Sequence, residues 1–230
     1  FPIEVFKAFD NVIICTYMFK AQLQRFYYDL YNVPYEMKSV KDGKLIDYTF
    51  AKADVDKIKI YLGSLNNIGN IEGSNAGQLS VNWYKTRKPS SIKLLQASIY
   101  NFVHNEMKKE LGKTPSSKRV IWTTYKKYIP VLKGEGYTKG FAACNLRATN
   151  DYKDRDVVIY AVNRFFNPFI KKFFYFHDVS ITKADEEQYA LSEMIQFIYR
   201  SAIRDGKQIY CFIPAERVRN LLLTYATIEG

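Results

Sequence analysis

Apolar and polar positions are most ordered in the second half of the chain, where short apolar runs alternate with stretches whose apolar residues recur every three or four positions. Residues 120–124, 140–146, 157–162 and 208–213 are near-continuous apolar runs of strand length, and 92–111 and 185–204 carry helical spacing. A helix or turn to about residue 132 follows the first of these strands. Gly112 stands where a C-terminal cap glycine belongs, and Pro214 opens a last helix over 214–224 as a first-turn proline does. Strands buried on both faces read as continuous apolar runs, so this alternation predicts a parallel sheet with helices on both faces, an α/β fold.

The first half is less regular. Residues 12–16 form an apolar run of strand type, and 19–31 have helical spacing closed by Pro34. Asp42-Gly43 predicts a hairpin turn, with alternation over 45–50 as a strand. The stretch 63–77, rich in Asn, Gly and Ser, reads as a connector. It divides the chain into a smaller N-terminal segment, 1–77, and a sheet-bearing domain, 78–230.

The 230 residues suffice for one large domain or two small ones, and an apolar fraction of 47% excludes long disorder. A net charge of +11 favours a polyanionic partner through counterion release. Most of the 19 Tyr and 16 Phe belong to the core, leaving a minority able to stack on bases. Cys15, Cys144 and Cys211 each sit in an apolar run, which predicts buried free thiols in a reducing, cytoplasmic setting rather than a disulfide framework. No apolar stretch approaches the ~20 residues of a membrane span. The opening Phe1-Pro2 suggests a fragment of something longer.

Candidate chemistry concentrates between residues 119 and 206. Trp122-Thr123-Thr124 closes the first strand of the domain, and Arg147-Ala148-Thr149-Asn150 forms a turn after the second, trailed by Asp154 and Asp156. Asn163 and Arg164 close the third strand; Gln196, Arg200 and Arg204 then recur at four-residue intervals, which would place two guanidinium forks on one helical face. The turn equally suits an Asx turn in which Asn150 and Asp151 bond only their own backbone, and the two arginines equally suit a helix surface paired with Glu193 or Asp205.

This order of words resembles the second RecA-like lobe of superfamily 2 helicases, in the divergent form found in phages and mobile elements. The Ala-Thr-Asn turn looks like their motif V, Gln196-Phe-Ile-Tyr-Arg200 with Arg204 like motif VI, and Arg119 to Tyr125 stands where motif IV does; Gly136 to Phe141 and Asn163 to Pro168 add to the match. Family arginines are three residues apart with glycines before them, whereas here they are four apart and preceded by Tyr199 and Ile203. The resemblance implies a RecA-like parallel sheet and a motor using ATP and Mg²⁺ held mainly by a first lobe that this chain lacks. In such a motor Arg200, Arg204 and Gln196 complete the ATP site and Asp154 or Asp156 faces the ribose or an arginine. Trp122, Thr123, Thr124, Arg147, Thr149, Asn150, Asn163 and Arg164 then contact a nucleic-acid track, expected to be DNA. A non-catalytic nucleic-acid-binding module of the same fold is the alternative.

Other chemistries find less support. Gly112-Lys113-Thr114 ends like a Walker loop, but Met107 replaces the required earlier glycine and a helix precedes it. The acids Asp185-Glu186-Glu187 suit a helix start, and His104 and His177 join no ligand set. A nuclease would need Asp54, Asp56 and Lys59 around a metal, and their spacing shows no such pattern.

Overall fold

A computed structural model describes residues 2–50, 52–69, 75–146 and 149–227. In chain order the elements are α1 (Glu4–Lys7), α2 (Leu23–Leu30), β1 (Lys38–Lys41), β2 (Lys44–Asp47), β3 (Ile58–Ile60), α3 (Val81–Thr86), α4 (Pro89–Asn101), α5 (Met107–Leu111), β4 (Val120–Thr123), α6 (Ile129–Leu132), β5 (Val157–Tyr160), α7 (Pro168–Phe176), α8 (Lys183–Ile198), β6 (Ile209–Phe212) and α9 (Glu216–Thr227). They form two compact units, one of Phe1–Lys52 with Phe165–Ser192, the other of Ala53–Arg164 with Glu193–Glu229. No helix of the described residues is long and apolar enough to cross a membrane.

The second unit carries a four-stranded parallel sheet in the order β3-β6-β5-β4. β4 and β5 are buried at every position, as continuous apolar strands covered on both faces should be. Register sets the faces: Trp122, Ile159 and Phe212 share one, and Thr123 and Tyr160 share the other. On the first face Phe102 stacks on Phe212 at 5.0 Å between ring centres and Tyr137 meets Trp122 at 5.4 Å. On the second, Phe197 of α8 lies 5.5 Å from Tyr160. The expected helix over 92–111 is realised as α4, a π-turn at Phe102–Glu106 and α5, ended by Gly112 in the left-handed region at φ +73°.

Four expectations fail for identifiable reasons. The run 140–146 forms no strand: Phe141 makes one isolated bridge to Trp122, and the backbone turns away when Leu146 N–H bonds the Ala143 carbonyl at 2.9 Å. The helix expected to reach residue 204 stops at Ile198, and Ala202–Asp205 is a separate 3-10 turn. In the first unit, residues 12–16 find no strand to pair with; Ile13 is 79% exposed and Cys15 is exposed, so only Cys211, in β6, is a fully buried thiol. The described residues of the connector expected over 63–77, 63–69 and 75–77, lie inside the second unit, because Ile58–Ile60 pairs with Ile209–Cys211.

The first unit contains the expected hairpin. β1 and β2 pair antiparallel across Asp42 (φ +51°) and Gly43 (φ +74°), the pair of left-handed residues that a tight two-residue turn requires. One cluster of its core is Phe26, Phe166 and Phe174, with partly buried neighbours such as Leu23, Ile170 and Tyr189, and Ile3, Ala21, Tyr28 and Leu191 are also buried.

Candidate functional site

The candidate residues gather at opposite ends of the parallel strands. Asn150, Asp154, Asp156, Arg200 and Arg204 lie at the amino ends of β5 and β6, whereas Thr123, Thr124, Asn163 and Arg164 lie at the carboxyl ends of β4 and β5. Strands of four residues at ~3.3 Å per residue keep the two edges roughly 10 Å or more apart, so no single small ligand touches both sets.

At the amino edge the backbone of Ala202 donates to the Arg155 carbonyl at 2.8 Å, which ties the arginine segment to the start of β5. That tie brings together two words 54 positions apart: Arg204 Nη1 donates to Asn150 Oδ1 at 2.6 Å. Arg204 is exposed. Its partner is a neutral amide, so the contact leaves the positive charge uncompensated. Arg200 is half-buried and donates from Nη1 to the Gln196 carbonyl, holding the last turn of α8. The two forks therefore do not share one helical face, since α8 ends between Gln196 and Arg200. Thr149 Oγ1 accepts the Asp151 N–H at 3.2 Å, a local turn made by the threonine and not by the Asn150 or Asp151 side chain. Because no strand forms over 140–146, this turn leads into the amino end of β5 instead of following a carboxyl end. Arg147 lies outside the described residues.

The two acids differ. Asp154 is exposed and 4.0 Å from Lys207 Nζ. Asp156 is gripped by the Arg119 fork, with Nε to Oδ1 at 2.9 Å and a second bond from Nη2 to Oδ2, and this hydrogen bonding raises the Arg119 pKa. Its backbone also accepts from Tyr210 N–H at 2.8 Å and donates to the Arg119 carbonyl at 3.1 Å, so Asp156 joins strands and is not free to face a ribose. Arg155, missed in the sequence, donates to the Ser117 and Val120 carbonyls and lies over the Tyr152 ring at 4.7 Å. Burial lowers its pKa. Arg119 opens the stretch that resembles motif IV, but no pattern distinguishes Arg155 from the other dispersed cations; only register places it.

At the carboxyl edge the structure corrects the expected nucleic-acid contacts. Trp122, Thr123 and Asn163 are 0% exposed and Thr124 is buried. β4 stands at the edge of the sheet, yet every one of its positions is buried. Thr124 Oγ1 donates to Tyr84 OH at 3.2 Å, and Tyr84 OH donates to the Ala161 carbonyl at 2.8 Å. Burial pushes the Tyr84 phenol up. Asn163 is a clamp: its amide donates to the Ala76 and Gln78 carbonyls at 2.8 and 2.9 Å, and its Oδ1 accepts from Arg217 at 2.7 Å. Arg164 pairs with buried Glu193 at 3.3 Å and donates to Cys144 Sγ at 3.5 Å. Beside this clamp is a cavity of about 350 Å³ lined by Asn75, Ala76, Glu216, Arg217 and Asn220. Among the described residues no group of three or more His, Cys, Asp and Glu side chains is placed to hold a metal ion. Phosphate oxygens are better matched, by the Arg204 fork.

A four-stranded parallel sheet covered by helices on both faces, with its polar loops at the strand ends, defines a Rossmann-like α/β domain. The family described as the YonV C-terminal Rossmann-like domain matches residues 52–226, almost the start and end of the sheet-bearing unit, and the chain belongs to that family. It is 41% identical over 235 residues to the SPbeta prophage-derived uncharacterized protein YonV of Bacillus subtilis (strain 168). That match covers 98% of this chain and 54% of the relative, so the chain spans about half the length of the curated protein it matches. No solved structure matches.

Proposed function

We propose that the chain is the second motor lobe of a nucleic-acid translocase or helicase of the superfamily 2 type, with DNA its expected track and with ATP and Mg²⁺ held mainly by further polypeptide. The observation that carries this reading is the Asn150–Arg204 contact at 2.6 Å, which joins the turn resembling motif V to the segment resembling motif VI. Phosphoryl transfer needs little covalent help from protein and much positive charge at the transferring phosphate. An exposed arginine whose partner is a neutral amide supplies that charge without first breaking an ion pair. Arg200 and Gln196 position the turn from which Arg204 projects, and Asp154, exposed and 4.0 Å from Lys207 Nζ, is the acid this reading sets toward the ribose. The test is made in the complete protein: Arg204→Ala is expected to abolish ATP turnover while nucleotide binding stays largely intact, with Arg204→Lys recovering a small part. Wild-type turnover by Arg204→Ala refutes the role.

A second reading, a nucleic-acid-binding module without a motor, is favoured by where the charge lies. The sheet-bearing unit has 24 basic and 13 acidic residues, and the other unit has ten of each, so the whole excess of +11 belongs to the Rossmann-like part. A complete protein that binds single-stranded DNA with strong salt dependence yet hydrolyses no nucleotide, with or without DNA, selects this reading over the motor.

A further inference from the structure

The two units differ in surface as sharply as in charge. Among the described residues, 16 of the 21 large apolar side chains that are exposed lie in the first unit, which holds about a third of the chain. A surface of that composition is unusual for a unit left facing water. Helix α7 shows it most plainly. Ile170 and Phe174 turn into the core beside Phe26 and Phe166, while Phe169, Phe173 and Phe176, spaced four and three apart, form a second apolar stripe. Phe169 is 82% exposed and Phe176 68%. The apolar arc of α7 is therefore wider than the stripe its own core covers, with Lys171 and Lys172 on the remaining side. Elsewhere in the same unit Phe9, Val12 and Ile14 line an open cleft of about 560 Å³ with Phe6, Phe19 and Tyr35.

We infer that the first unit is a docking element whose apolar surface is covered by further polypeptide of the same protein. Charge argues against a nucleic acid here, because ten basic and ten acidic residues give this unit no net attraction for a polyanion. Length argues for polypeptide, because the prophage relative is nearly twice as long as the segment it shares with this chain. The inference rests on surface composition and not on the motor reading.

Cys15 supplies the test, being exposed and next to the apolar run Ile13-Ile14, with buried Cys211 as an internal reference. Maleimide labelling is followed peptide by peptide in the complete protein, native and in urea. The expected result is at least tenfold slower labelling of Cys15 in the native protein, unchanged on dilution, with ATPase or DNA binding irrelevant to the outcome. Labelling of native Cys15 at the rate seen in urea overturns the inference. Protection lost on dilution assigns the surface to a second copy, and protection appearing only with added single-stranded DNA or anionic vesicles assigns it to those; either result overturns it. A second arm replaces Phe169, Phe173 and Phe176 by serine, which is expected to lower the thermal midpoint of the complete protein; an unchanged midpoint removes α7 from the docking surface.

Discussion

Replacing Asn163 by alanine separates a structural clamp from a nucleic-acid contact. The side chain is fully buried and makes three bonds, to the Ala76 carbonyl at 2.8 Å, the Gln78 carbonyl at 2.9 Å and Arg217 Nη1 at 2.7 Å. Two neutral hydrogen bonds at about 1 kcal/mol each and one to a charged donor at about 1.5–3 kcal/mol give a loss of roughly 3–5 kcal/mol. The loss is large because alanine leaves two carbonyls facing a void in which water replaces only part of the amide. In urea unfolding, with m toward the upper end of ~1–3 kcal/mol/M, the midpoint falls by about 1–2 M while m stays unchanged. Nucleic-acid affinity measured well below the midpoint is expected to stay at the wild-type value. A shift in stability under ~1 kcal/mol together with lost affinity refutes the clamp and restores Asn163 as a contact.

Tyr160 is buried, its hydroxyl has no hydrogen-bond partner among the described residues, and burial raises its pKa well above the ordinary value. Tyr160→Phe is therefore expected to leave stability at neutral pH unchanged or slightly higher, as chemical denaturation shows. The same phenol stays protonated in the folded chain and ionises above ~10 when unfolded, so its stabilisation is complete below that pH and is lost as pH rises further; the phenylalanine variant lessens the alkaline decline by about 1.4 kcal/mol per pH unit. Gly140 allows close backbone approach, since an added Cβ meets the Val120 carbonyl oxygen at 2.1 Å. Gly140→Ala is expected to cost about 2 kcal/mol or more by displacing β4, read as a lower thermal midpoint. Binding of single-stranded DNA is expected to weaken about 20- to 50-fold between 50 and 200 mM salt if three or four cations of the sheet-bearing unit meet phosphates. Affinity that is flat with salt argues against a polyanion as the partner.

What the residues determine by themselves is local. Apolar runs at 120–124, 157–162 and 208–213 become β4, β5 and β6, Gly112 caps its helix, and Asp42-Gly43 turns its hairpin, because each depends on the dihedral freedom or periodicity of neighbours along the chain. The run at 140–146 looks equally strand-like, and only the tertiary structure denies it partners beyond one bridge at Phe141. That denial moves Thr149 and Asn150 to the amino edge, where Asn150 meets Arg204 and Asp156 meets Arg119. The polarity of candidates such as Asn163 and Thr123 is visible in the letters, but their burial is not, because whether a polar group faces solvent or a buried carbonyl is decided by chain segments distant in sequence, here residues 76–78 and Arg217. Net charge is a property of composition. Its segregation is also legible along the chain, since residues 1–77 carry nine basic and nine acidic residues, and moving 165–192, with three basic and four acidic residues, into the other unit changes it little.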